Sequence, residues 1–141
     1  MNVKELMIGD WVAYIPEIEE GEDSYLGEPR NIQVDLSCLQ KIDEIIFASI
    51  PLTPEILEKN GFYNRNTEWY YKRFLSNGCF DIATSLVYRE IEVSKVCGVG
   101  TDCEEVDYGS EIVFGNNICV HQLQHVLRLC GLNDLADNFK V

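Results

Sequence analysis

A chain of 141 residues, 46% of them apolar and 11% aromatic, can bury roughly two thirds of its unfolded surface, so a single domain over 1–141 needs neither disulfide nor metal to fold. Its 24 acids against 11 bases leave a net charge of −13, which offers no attraction to nucleic-acid phosphate or to an anionic membrane and suits a basic protein partner. No apolar run approaches the ~20 residues of a membrane-spanning helix, and the opening segment, with Lys4, Glu5, Gly9 and Asp10, lacks the apolar core of a signal peptide, so a cytoplasmic location is expected.

In chain order, Gly9-Asp10 predicts a turn leading into a strand, the way many small β-barrels begin. The segment 16–29 holds Glu17, Glu19, Glu20, Glu22, Asp23 and Glu28 with no intervening base and reads as a solvated loop. Ile32, Val34 and Leu36 alternate with polar neighbours, the period of a half-buried strand. The β-rich run 45–50 predicts another strand.

The segment 54–60 predicts a short helix. Thr53 caps it, Pro54 fits its first turn, and Glu55 favours its positive end. Leu52 and Leu57 have staple spacing, Gly61 ends the helix, and Phe62 folds back on it. The stretch 67–76 is aromatic and β-prone, Asn77-Gly78 predicts a hairpin turn, and 79–84 returns. The segment 86–96 predicts a strand with Val87, Ile91 and Val93 on one parity. A second acidic loop, 102–111, precedes a short strand at 112–114.

The end of the chain is helical. Val120, Leu123, Val126, Leu127 and Cys130 fall on one side of a wheel, and Leu132, Leu135, Ala136 and Phe139 repeat at helical spacing after Gly131. The fold class expected is α+β: a small curved antiparallel sheet, barrel-like or SH3-like in its N-terminal part, with a short helix near 54–60 and a C-terminal amphipathic helix.

Three segments carry a family resemblance: Glu5-Leu6-Met7-Ile8-Gly9-Asp10-Trp11-Val12, the stretch from Pro51-Leu52-Thr53 to Gly61-Phe62, and Val120-His121-Gln122-Leu123-Gln124. Together they resemble a family of small proteins from Bacteroides-type gut bacteria and their phages. An "L-x-I-G-N" opening, a "P-L-T-x-E-x-L-x-x-x-G-F" middle and a "V-H-Q-L-Q-N" ending recur there in that order. The resemblance implies a small domain found on mobile elements, and it brings no activity, cofactor or catalytic residue. This chain departs from it at Asp10 and at His125, where the family more often has Asn.

Three constellations bear on chemistry. His121 and His125 stand at i and i+4, the spacing that lets two imidazoles share a metal in the H-E-x-x-H zinc proteases. The position of the general base is Gln122, which cannot take a proton from zinc-bound water. The wheel puts both histidines on the polar side with Gln124 and Arg128, so a solvated pair is expected, and a metal-binding hydrolase using it is the alternative. The strand Trp69–Phe74 mixes aromatics with Lys72 and Arg73, as surfaces that stack single-stranded bases do. It splits by parity into Trp69, Tyr71 and Arg73 on one face and Tyr70, Lys72 and Phe74 on the other. The acidic loops lack the spacing of a calcium loop and read as solvated charge presented to a basic partner.

The six cysteines, at 38, 79, 97, 103, 119 and 130, show no C-x-x-C pair and read as buried reduced thiols. No nucleophile elbow, P-loop or dinucleotide fingerprint is present. The expectation is therefore an acidic interaction or accessory protein with no catalytic residues and no cofactor. Metal binding by His121 and His125 and single-strand binding by Trp69–Phe74 are the alternatives.

Overall fold

The computed structural model of the protein describes residues 5–66, 68–74, 79–96 and 108–141. In chain order its elements are β1 Trp11–Ile15, β2 Glu17–Glu20, β3 Asp23–Leu26, β4 Arg30–Gln33, α1 Leu36–Gln40, β5 Ile46–Ala48, α2 Pro54–Lys59, β6 Tyr63–Asn66, β7 Trp69–Phe74, β8 Cys79–Ser85, β9 Glu90–Val96, β10 Tyr108–Val113, α3 Val120–Leu129 and α4 Asn133–Asp137. All strand pairs are antiparallel, and the class is α+β. The strands form three small sheets, none closed, ordered β4-β1-β5, β10-β9-β8-β7-β6 and β2-β3. The barrel-like N-terminal part expected from the Gly9-Asp10 turn is thus an open three-stranded sheet. Among the described residues no helix is long and apolar enough to cross a membrane.

The chain divides into two compact units, one of Met1–Pro51 with Cys119–Val141 and one of Leu52–Ile118. In the first, β1 is the central strand, pairing Val12 with Ile32 and Tyr14 with Phe47. Leu6, Val12 and Val34 form a small core against which Ile32, Cys38, Leu39 and Phe47 pack. The apolar stripe of α3 (Val120, Leu123, Val126 and Leu127) is buried, as are Ala136 and Phe139. α1 replaces the end of the strand expected to reach Leu36, because the Asp35 side chain accepts from Cys38 N–H at 2.8 Å and caps a helix there.

In the second unit α2 forms as its sequence dictates. Thr53 Oγ1 accepts from Ile56 N–H at 3.3 Å, and Leu52, Leu57 and Phe62 are all buried. Phe62 N–H donates to Leu57 O and Gly61 N–H to Glu58 O, both at 3.0 Å. This Schellman closure needs the positive φ of 81° that Gly61 supplies without strain. Ile82 and Ile91, on one face of the five-stranded sheet, are fully buried.

β9 starts later than expected. Residues 86–89 form a turn in which Arg89 has φ 58°, and this leaves Val87 exposed rather than in line with Ile91. The Asn77-Gly78 turn, most of the second acidic segment, Cys97 and Cys103 lie outside the described residues. Cys38, Cys119 and Cys130 are partly buried thiols rather than fully buried ones.

Candidate functional site

The histidine pair sits on α3, and the face it occupies is not solvated. His121 is only 4% exposed and Gln124 is fully buried. Helical periodicity sorts residues by polarity, but a polar stripe is solvated only if nothing packs on it. Here the Gly9-Asp10 turn does. Gly9 N–H donates to Val34 O at 2.7 Å and Asp10 N–H to Met7 O at 3.1 Å, which folds the turn back toward α3. Gly9 has φ 90°, and a β-carbon there would meet Arg128 Nη2 and Asp137 Oδ1 at 2.9 Å. Only glycine allows both the backbone and the close approach.

Asp10 is the centre of the cluster. Its fully buried carboxylate lies with Oδ2 2.7 Å from His125 Nε2, accepts from Met7 N–H at 2.8 Å, and is paired through Oδ1 with Arg128 Nη1. Burial pushes its pKa up, but the bonds from His125, Arg128 and Met7 outweigh that and hold it below the ordinary 3.8. Arg128 also reaches Asp137 Oδ1 at 3.2 Å and Ile8 O at 3.3 Å. Gln124 receives Trp11 N–H at 2.8 Å on Oε1 and gives Nε2–H to Gly9 O at 2.9 Å and Ala136 O at 2.7 Å. Trp11 Nε1–H donates to Phe139 O at 2.6 Å.

The imidazoles of His121 and His125 meet edge to face, their centroids 5.8 Å apart. His125 spends Nε2 on Asp10, and His121 Nδ1 is buried without a hydrogen-bond partner. Among the described residues the one group of three carboxylate, thiol or imidazole donors able to converge is Glu90, Glu92 and Glu111, and it includes neither histidine. Gln122 has its own task, since its Oε1 accepts from Cys119 N–H at 2.9 Å and caps α3. The arrangement therefore joins a turn to two helices, and the general-base position of a zinc protease is held by a helix cap.

Protonation loads this cluster from the acid side. Burial lowers the His121 pKa below 6.5, with the Asp10 charge pulling the other way. The unfolded chain therefore binds this proton before the folded one does, and stability falls as pH drops below about 6.5. Asp10, depressed in the folded state, adds a further loss as pH falls below 3.8 and through its folded pKa. Urea midpoints measured across this range should decline in two stages, and His121→Phe should flatten the upper one.

The strand Trp69–Phe74 divides as its parity requires. Lys72 lies on the face of Ile82: its Nζ donates to Asn60 O and stands 5.9 Å and 5.4 Å from the Phe62 and Phe74 ring centres. Partial burial lowers its pKa. Arg73, on the other face, forks onto Asp81 at 2.7 and 2.8 Å. Both bases of the strand thus hold partners within their own unit.

The acidic segment 16–29, expected as a loop, is a two-stranded hairpin. Glu17 pairs with Leu26, Ile18 with Tyr25, Glu19 with Ser24 and Glu20 with Asp23, and Gly27 N–H closes its base on Pro16 O at 2.7 Å. Every residue of both strands is exposed. The reading as a loop failed because acid-rich composition masks the alternation of Ile18 and Tyr25 with carboxylates. Asp10, Trp11 and Gln124 were missed as partners for the histidines because they meet α3 only through the tertiary fold. The sole sequence signal was Gly9-Asp10, a turn pair with a short acid. No family model, curated protein or solved structure matches the chain.

Proposed function

We propose that this protein is a non-enzymatic interaction module that holds a basic protein partner through the acidic β2–β3 hairpin. The observation that carries the reading is the hairpin itself. Its eight strand residues are all exposed, and they bring four carboxylates, with Glu22 in the turn as a fifth, and no lysine or arginine. Glu20 stands directly opposite Asp23, a like-charge pair that costs stability until a cation arrives between them. Ile18, Tyr25 and Leu26 are exposed beside these acids and supply the apolar contact that charge alone lacks. A two-stranded hairpin is marginal by itself, so engagement of a partner would also order it. The resemblance to small proteins of Bacteroides-type bacteria and their phages supports an accessory role on a mobile element, and the low representation of bases supports a protein rather than a nucleic-acid partner.

The experiment is capture of partners from lysate of the producing cell by the unaltered protein and by a Glu17→Gln, Glu19→Gln, Glu20→Gln variant, identified by mass spectrometry. A basic protein retained by the first, released by salt and lost by about tenfold or more with the variant is the expected result. Equal capture by both proteins would sink the hairpin reading.

A further inference from the structure

The segment 5–10, just before β1, is held to α3 by side-chain bonds. Gln124 Nε2–H donates to Gly9 O at 2.9 Å and Arg128 Nη2–H to Ile8 O at 3.3 Å, while Asp10 bonds both His125 and Arg128. Among the described residues no backbone–backbone hydrogen bond joins the segment to α3. Its opposite side is tied differently. Gly9 N–H donates to Val34 O at 2.7 Å, Val34 N–H to Asp10 O at 2.8 Å, and Leu6 lies in the small core with Val12 and Val34. The segment can therefore part from α3 while β1 keeps its ladder to β4 and β5 and α3 keeps its own helical bonds. Met7 and Ile8, at its tip, are already about half exposed.

We propose that the segment 5–10 is a strap that acid releases from α3, with His121 as the group that takes the proton. His121 is 4% exposed, and its Nδ1 is buried without a hydrogen-bond partner. A neutral ring tolerates this by carrying its proton on Nε2. A second proton puts an N–H on Nδ1, a buried donor with no acceptor. The neighbours give no relief. His125 meets His121 edge to face at 5.8 Å, and its Nε2 is spent on Asp10. The Asp10 oxygens are taken by His125, Met7 N–H and Arg128. Parting the strap from α3 admits water, which accepts from the new donor.

The charges around His121 set the direction. Burial is the largest influence and disfavours the imidazolium. Asp10 and Glu5, both in the strap, favour it, whereas His125 on the same helix and the amino-terminal charge oppose it. Arg128, and Asp137 of α4 through it, act by way of Asp10. Burial prevails, so the closed strap holds the His121 pKa below 6.5. The parted form binds the proton at the ordinary value. Closure is therefore complete above pH 6.5 and loses ground as pH falls below it, by at most about tenfold per pH unit for one linked proton. This goes beyond a loss of overall stability, because it places the first opening at one face of the first unit. It stands independently of the hairpin.

The test is amide hydrogen exchange of the full chain, followed by NMR between about pH 7.5 and 5.5 and corrected for the intrinsic exchange rate. Trp11 N–H, bonded to Gln124, and Met7 N–H, bonded to Asp10, report the strap, and the amides of β8 and β9 serve as the reference. The expected result is that the two strap amides lose about threefold or more of their protection across this range, while the reference amides keep theirs. His121→Phe and His121→Gln cannot titrate, and either should hold the strap amides level. In the unaltered protein the His121 ring carbon, followed by 13C NMR, should titrate below pH 6.5 in step with the exchange. An equal loss in the strap and in β8 and β9 would overturn the proposal, since acid would then unfold the chain as a whole. So would an unchanged strap, or a pH dependence that persists in whichever variant folds. Should neither variant fold, the ring titration decides, and a His121 midpoint at or above 6.5 refutes the strap.

Discussion

Gln124→Ala is expected to lower the stability of the protein by about 3–5 kcal/mol, the largest effect of any single polar substitution in the first unit. The side chain is fully buried and makes three hydrogen bonds, to Trp11 N–H, Gly9 O and Ala136 O. Gly9 O keeps a second donor, Gln33 Nε2 at 3.2 Å, and Ala136 O keeps Phe139 N–H at 3.4 Å, so the truncation orphans Trp11 N–H and leaves a cavity among β1, α3 and α4. An orphaned backbone group costs about 1–3 kcal/mol, and total stability for a domain of this size is only about 5–15 kcal/mol. Gln124→Glu separates shape from bonding. It fills the same volume, but its carboxylate has no donor for the Gly9 and Ala136 carbonyls. Urea unfolding followed by Trp11 fluorescence, with Trp69 replaced by Phe in every protein compared, would measure both. Losses below about 1 kcal/mol for Gln124→Ala would show that the amide is not a fixed joint between the two ends of the chain.

Asp10→Ala is expected to cost about 3 kcal/mol, the low end of what removing one partner of a buried ion pair costs. The low end applies because Arg128 keeps Asp137 and Ile8 O. Asp10→Asn should lose less, since its amide oxygen still accepts from one of the two donors, Arg128 or Met7 N–H, that bond the two carboxylate oxygens separately. It should also remove the lower acid stage of the stability profile, which depends on a depressed carboxylate. A double-mutant cycle with Arg128→Met isolates the pair. A coupling near zero would show that the short Asp10–Arg128 contact contributes no stability of its own.

Local signals were legible wherever one stretch of chain carries its own constraint. The cap, staple and closing glycine of α2 are all contained in 52–62, and the structure reproduces each bond they imply. The apolar stripe of α3 lies within one helix and is buried as its period requires. Boundaries shifted where side chains compete with the backbone. Asp35 turned a strand end into α1, and residues 86–89 became a turn.

The candidate sites were half legible. Parity along β7 alone separated Trp69, Tyr71 and Arg73 from Tyr70, Lys72 and Phe74, because alternation is a property of one strand. Which of the two sets faces the core depends on where α2 packs, and no residue of β7 carries that information. The row of Tyr71, Ala83, Glu92 and Glu111 needed the register of four strands. The histidine face was misjudged for the same reason. A helical wheel ranks the sides of a helix by polarity, but burial is decided by what covers them.

Sequence alone determined the α+β class, the acid-rich charge, the placement of the main helices and most strands, and the pairing of residues along single elements. These follow from period, capping and turn chemistry, which act over a few residues. The tertiary structure alone decided that a turn near the start of the chain and a helix near its end share one buried carboxylate, with Asp10 and His125 separated by 115 positions. It also raised the acidic segment 16–29 into a hairpin and drew carboxylates and aromatics onto one sheet face. Such meetings are set by packing among distant segments, whose free energy belongs to the assembled chain and not to any stretch of it.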